Sequence, residues 1–307
     1  MKTSTKKSNI GRRGDLIFHW ALLIWPLLQF GVFYVGVNLN SFALAFKGET
    51  GGISFENFRF VFSEAMLPSV LKSVRTSLLF YVVTTVISVP LALSFAYYIF
   101  KKLWGGKLFR FFLFLPSIVS SIVMVVLFHK FLDTALGDLL EDLFGIDMGT
   151  TPLINATKYS SYIPILFFYI WINFGTTTLI YSNKMGEISP EILEAAQLDG
   201  ASSVQEFIHI VIPFAYPTIS VFLVTGLATI FTNQYNLFSF YGSSIGFDSG
   251  TMGYYIFANI QDYAGRGLWD SIWFNRFAAL SILVTLVVIP VTMGARRAIE
   301  KFGPSEE

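Results

Sequence analysis

Cysteine is absent from the 307 residues, which excludes disulfides, thiolate nucleophiles and cysteine metal sites. Histidine is nearly so: His19, His129 and His209 are the three present, and no two lie within helical or hairpin reach. A metal site would have to be assembled from distant segments and carboxylates. Charge is also scarce. Asp, Glu, Lys and Arg make up 13% of the chain and nearly cancel to a net +1, so no field of one sign draws in nucleic acid or an acidic substrate. The common catalytic signatures are missing. No G-x-x-x-x-G-K-[ST] phosphate loop occurs, since Gly105-Gly106-Lys107 has neither the spacing nor the hydroxyl that must come next. H-E-x-x-H, G-x-S-x-G and a pair of aspartates within an apolar run are absent too. The chain is expected to bind no cofactor, to hold no ATPase site and to be no self-contained enzyme.

What is present is apolar. Hydrophobic residues make up 54% and aromatics 17%, and the mean hydropathy is +0.61, beyond the range of soluble domains. Runs long enough to cross a bilayer, roughly 20 residues each, fall near 16–37, 74–100, 108–129, 159–181, 215–237 and 277–295. An all-α polytopic membrane protein with six transmembrane helices is expected. Each run holds one proline, Pro26, Pro90, Pro116, Pro164, Pro217 and Pro290, read as kinks relieved by neighbouring helices. The run at 16–37 is too long for a signal h-region, so it reads as an uncleaved first span.

Basic residues set the orientation. Lys2, Lys6, Lys7, Arg12 and Arg13 precede the first span; Lys101, Lys102, Lys107 and Arg110 come after the second; Arg296, Arg297 and Lys301 come after the last. The segment 132–157 carries Asp133, Asp138, Glu141, Asp142 and Asp147 and neither lysine nor arginine, so it reads as outer. The other outer segment, 38–73, holds Lys47, Arg59 and Lys72, which makes the bias moderate. Both termini are then cytoplasmic, in a multi-pass cell membrane protein. The expected divisions are a tail at 1–15, the first span with its outer loop at 16–72, a core at 73–297 and a tail at 298–307.

The loop 182–213 departs from this charge rule. It is expected on the cytoplasmic side, yet its one base, Lys184, stands against Glu187, Glu191, Glu194, Asp199 and Glu206. Ser189 and Pro190 start a short helix that ends at Gly200, and Ser202 with Gln205 forms a capping box opening a second. Pro213 marks the junction with the fifth span. Ala195 and Ala196 offer a smooth surface for close approach, and Glu194 can reach a donor. The residues alone leave two readings open: docking of a soluble partner, or a helix-turn-helix connection resting on its own membrane domain.

The spacing Glu194-Ala195-Ala196, three residues, Gly200, nine residues, Ile210, one residue, Ile212-Pro213 resembles the signature of the membrane subunits of binding-protein-dependent ABC importers, with Ile212 in place of the usual Leu. Residues 188–202, Phe55-Glu-Asn-Phe58 and 246–257 resemble the maltose-type, carbohydrate-uptake branch. The resemblance covers most of the chain from about residue 50. It implies that the loop is a coupling helix seated in a cytoplasmic ATPase, with Glu194 as polar anchor, Ala195 and Ala196 as packing face and Gly200 as bend; Asp199, Ile210 and Pro213 belong to the same element. It further implies a second permease, two ATPase subunits that hold ATP and Mg, an extracytoplasmic solute-binding protein and a sugar substrate, an oligosaccharide by preference.

Polar side chains within spans face the interior. Tyr169, Asn173 and Thr176 share a face of the fourth span, and Asn233, Tyr235 and Asn236 cluster with Thr232 at the outer end of the fifth. Amides and aromatic rings suit a neutral polyhydroxylated solute, and they equally suit helix–helix hydrogen bonding. The outer segments 132–157 and 242–267 are candidate docking loops for the binding protein. The rival class is a six-span channel or ion-coupled carrier, which has no use for a capped acidic loop in the cytoplasm.

Overall fold

The computed structural model describes residues 9–136, 138, 142–143, 162–243, 250–269 and 271–304. These are helical throughout apart from connecting turns and one isolated bridge between Lys47 and Ile53. The chain forms two compact units, Met1–Ser63 with Asp270–Leu283, and Glu64–Trp269 with Val284–Glu307.

In the first unit, α1 (Asn9–Gln29) passes through a π-helical stretch (Phe30–Gly36) into α2 (Val37–Ala45). Gly14–Ala45 is one apolar span with none of its most apolar window buried, as befits a helix whose surroundings are lipid. After it comes the short α3 (Glu56–Val61). Asn57 is 2% exposed and donates to the carbonyls of Ala45 and Lys47, both at 2.9 Å, closing the intervening turn. Arg276 lies 3.6 Å from the centre of the Phe60 ring and pairs with Glu49 at 3.1 Å.

The second unit holds α4 (Leu67–Phe100), α5 (Gly106–Ile118), α6 (Ser121–Lys130), α7 (Tyr162–Met185), α8 (Pro190–Leu198), α9 (Ser203–Glu206), α10 (Ile212–Ala228), α11 (Leu237–Tyr241) and α12 (Met252–Gly265). The last helix, α13 (Ile272–Phe302), runs through both units. α7 packs along α4 and α5. Gly175 makes the second contact possible, because a Cβ there would overlap the Leu113 carbonyl. One core joins α4, α7 and α10 through Ala92, Ala96, Tyr181, Met185, Val211 and Ala215.

The expectation of six spans holds with one refinement, and two others change. Among the described residues five helices are long and apolar enough to span, and the third run, a broken pair Leu108–Ile118 and Ser121–Lys130 bent by 100°, makes six when it counts as one span. Its break lies at Val119 and Ser120, both extended, just after Pro116 and beside a serine pair. The fifth run stops being helical at Ala228, eight or nine residues early, where Thr229–Asn236 turns into an irregular segment. Finally, 242–267 is no simple loop, since most of it is α12. The acidic segment 132–157 lies outside the described residues except for 132–136, 138 and 142–143.

Candidate functional site

Two places gather the residues singled out by the sequence. The first is the connection from α7 to α10. Pro190 occupies the first turn of α8, where its missing N–H costs nothing. Ser189 stands at the N-cap but its hydroxyl donates to Glu191 at 2.8 Å, so it does not cap the backbone. At the other end the helix is closed by a Schellman motif. Ala201 N–H reaches the Ala196 carbonyl at 2.9 Å and Gly200 N–H the Gln197 carbonyl at 3.1 Å, with Gly200 at φ +83°. The reciprocal bonds of Ser202 and Gln205 then open α9.

Pro213 does not interrupt the helix that holds it. Ser203–Ala228 is one continuous spanning helix. A π-helical turn, Phe207–Val211, directly precedes Pro213, and Ile212 N–H bonds back to Phe207, five residues away. This widening relieves the clash that a proline ring makes with the preceding turn. Ile210 sits half-buried within it, and His209 is exposed with its Nδ1 3.0 Å from the Gln205 carbonyl.

The five acids of the loop separate into three groups. Glu187 pairs with Lys184 at 2.7 Å and Glu191 takes the Ser189 hydroxyl. Glu206 is 2% exposed, receives Lys101 Nζ at 2.9 and 3.0 Å on its two oxygens, and accepts the Tyr97 hydroxyl at 3.0 Å. It belongs to the interior and was indistinguishable in sequence from its exposed neighbours. Glu194 and Asp199 remain exposed, and Glu194 has no hydrogen-bond or ion-pair partner among the described residues. No residue of α8 is buried. Leu198 is 89% exposed and Ile192 50%, so α8 presents apolar side chains together with Ala195 and an unpaired carboxylate.

The second place is a cavity of about 270 Å³ walled by α4, α7, α10 and the segment after it. Tyr169, Asn173, Asn233 and Tyr235 line it, as the sequence grouping implied. Thr176 does not, and Thr177 takes its place on the α7 wall. Asn236 is also absent from the lining; it precedes α11 at φ +60°. Sequence reasoning missed the α4 wall, Tyr81, Thr84, Thr85 and Ser88, whose spacing of three, four and seven was the available signal.

The local bonding is specific. Asn233 Nδ2 donates to the Tyr169 hydroxyl at 2.7 Å, and its Oδ1 accepts Tyr235 N–H at 2.9 Å. Tyr169 and Tyr235 rings lie 4.5 Å apart. Asn173, which lines the cavity, donates to the Tyr169 carbonyl at 2.8 Å. Tyr181, fully buried, lines the same cavity, and its hydroxyl has no partner among the described residues. A buried hydroxyl without a partner is a group that water or a ligand would satisfy. No Asp, Glu, Lys or Arg is among the lining residues, and the described residues hold no cluster fit for a metal ion.

Apolar spanning helices around an uncharged polar cavity, together with a short helix that has no buried residue, describe a multi-pass membrane protein. Residues 88–304 match the family described as binding-protein-dependent transport system inner membrane component, and the chain belongs to that family. Similar proteins include the multiple sugar-binding transport system permease protein MsmF of Streptococcus mutans, 23% identical over 229 residues that cover 73% of this chain and 77% of that one. The sn-glycerol-3-phosphate transport system permease protein UgpA of Pectobacterium atrosepticum is 24% identical over 287 residues, covering 94% and 92%. Among solved structures, a chain of a bacterial alginate ABC transporter in complex with an alginate pentasaccharide-bound periplasmic protein superposes with a TM-score of 0.75 at 21% identity, over 95% of this chain and 97% of that one. That likeness speaks for the fold.

Proposed function

We propose that the chain is one permease half of an ATP-driven importer for a neutral sugar, an oligosaccharide by preference, delivered by an extracytoplasmic binding protein. A second permease completes the path and two cytoplasmic ATPase subunits hold the ATP and Mg. Both termini and the α8–α9 loop face the cytoplasm, in keeping with the basic residues at 101–110 and 296–301.

The observation that carries this reading is α8: a helix closed at its C-terminus, with no buried residue, an unpaired Glu194 and exposed Ile192 and Leu198. Exposed apolar side chains beside a free carboxylate fit a protein surface that supplies a donor. Glu194 is the polar anchor, Ala195 and Ala196 let the partner approach closely, and Gly200 sets the direction in which α8 leaves the helix that becomes α10. Closure of the ATPases then moves this loop and rocks the helices as rigid bodies.

The cavity supports the substrate class. Its hydroxyls, amides and tyrosine rings meet sugar hydroxyls and faces without any formal charge. At about 270 Å³ it falls below the roughly 300–1,000 Å³ usual for ligand sites, the share one half of a paired path would hold.

Purification from the native membrane with co-purifying ATPase chains, and ATP hydrolysis stimulated by the binding protein, is the expected result. Glu194→Lys should reach the membrane and abolish ATP-driven uptake; undiminished uptake would overturn the coupling role. Losing one sugar but not another on Asn173→Ala would support the path, whereas equal loss for all sugars with poor expression would assign Asn173 to helix packing.

A further inference from the structure

The loop must move more than one wall of the cavity if the walls are to part. Its connection to α10 is covalent and helical: Ser203–Ala228 is unbroken and supplies Phe222, Leu223, Thr225 and Gly226 to the lining. α4 has no such link, since Lys101 and Glu206 stand 105 residues apart. Yet α4 contributes Tyr81, Thr84, Thr85 and Ser88 to the same lining.

We propose that Lys101, Glu206 and Tyr97 form a clasp that delivers motion of the coupling loop to α4; this rests on the coupling role proposed for α8. Three contacts define it. Lys101 Nζ spans both Glu206 oxygens at 2.9 and 3.0 Å, the Tyr97 hydroxyl lies 3.0 Å from Glu206 Oε1, and the same hydroxyl lies 3.2 Å from the Ser203 carbonyl. The Tyr97 ring packs on Phe207 at 4.9 Å. Glu206 is in the first turn of the helix that becomes α10, and Tyr97 and Lys101 are at the last turn of α4. α4 is one continuous helix from Leu67 to Phe100, with Pro90 inside it, so displacement at Tyr97 is carried along the same helix to Ser88 and Tyr81, roughly 14 to 24 Å away at 1.5 Å per residue.

The chemistry favours a directional link over plain packing. Desolvating a glutamate and a lysine offsets most of their attraction, so apolar residues would stabilise the joint as well. Apolar faces slide, however, whereas a two-pronged ion pair with a hydroxyl on the same oxygen holds one register. Lys101, Glu206 and Tyr97 are thus positioning residues that act through α4 on the cavity.

The test uses the assembled transporter in proteoliposomes and reads solute moved per ATP hydrolysed. Lys101→Glu should lower that ratio about tenfold, within the range for residues that carry coupling, while hydrolysis continues. The charge swap Lys101→Glu with Glu206→Lys should restore much of it. Should Lys101→Glu fail to assemble, the cysteine-free chain permits Lys101→Cys with Glu206→Cys. The unbridged pair should be uncoupled, and a short thiol-reactive bridge formed in the purified complex should recouple it. A wild-type ratio in Lys101→Glu, or equal ratios before and after bridging, overturns the clasp. Glu194→Lys serves as the control: if it abolishes uptake while clasp variants couple normally, the clasp alone is wrong, and if it too is silent, the coupling role fails with it.

Discussion

Gly200 offers a perturbation whose size can be bounded from the structure. Its φ of +83° is a region that L-residues enter at a cost, and a Cβ built there meets no atom within 4 Å. Gly200→Ala therefore adds a backbone penalty and no clash, about 1–2 kcal/mol for an alanine held in the left-handed region. That is roughly a 5- to 30-fold shift toward loops in which α8 leaves its set direction. Asparagine tolerates this conformation better, so Gly200→Asn should lose less. Gly200→Pro should lose most, because it fixes φ near −65° and removes the N–H that reaches Gln197 at 3.1 Å. The assay is the affinity of the detergent-purified chain for the ATPase subunit proposed above as its partner, read beside ATP-driven uptake at equal membrane abundance. The expected order is Gly, Asn, Ala, Pro. Equal affinity for Gly200→Ala and the parent would refute the need for a reversed bend. Complete loss in both Ala and Asn would exceed any backbone cost and would place a partner atom in the space beside Gly200.

Two further outcomes rest on close packing and buried polar groups. Gly175→Ala drives a methyl into the Leu113 backbone, and overpacking of this kind costs about 1–3 kcal/mol; it should lower the thermal midpoint in detergent, and an unchanged midpoint would contradict the contact between α5 and α7. Asn57→Leu leaves the carbonyls of Ala45 and Lys47 without their donor, at about 1–3 kcal/mol; proteolysis near residues 46–55 should quicken, and parent-like resistance would show that the turn is held by other means.

How much of this was legible depended on the range of the interaction. The capping box at Ser202 and Gln205, the proline at 190 and the glycine at 200 are written within a few residues of where they act, and all three stand where the sequence puts them. Glu206 is the opposite case. Nothing within ten residues of it indicates burial, since its partners Tyr97 and Lys101 are brought in by tertiary packing alone. Thr177 in place of Thr176 reflects a smaller effect: one residue is about 100° around a helix, and packing of α7 fixes that rotation where hydropathy does not. The α4 hydroxyls were hidden for a chemical reason. Thr84 donates to the Phe80 carbonyl of its own helix at 2.7 Å, so such residues sit in an apolar span without an obvious polar demand. The bend after Ile118 was legible only in part, because the proline before it is matched by one in each of the five other runs, where the helix continues past the proline.

The irregular stretch after Ala228 supports the proposal that Asn233 and Tyr235 do more than hold helices together. A helix that ends at membrane depth exposes backbone groups that lipid cannot satisfy, so the break is tolerable only against protein or a wet cavity. Both conditions are met here. Thr251 donates to the Asn233 carbonyl at 3.0 Å, and Asn233 Oδ1 accepts Tyr235 N–H. Gly253 lets the start of α12 lie against the Thr232 backbone, where a Cβ would collide. Tyr235 and Asn236 both adopt positive φ, 50° and 60°, a conformation that costs about 1–3 kcal/mol per residue outside glycine and persists only where the surroundings over-determine it. Phe80 and Tyr169 supply that constraint by packing on the Tyr235 ring at 5.2 and 4.5 Å. Simple helix–helix adhesion needs neither the broken helix nor the strain. A fixed amide and a fixed ring line the same cavity as a buried tyrosine hydroxyl that lacks a partner among the described residues, which supports the polar-solute path proposed above.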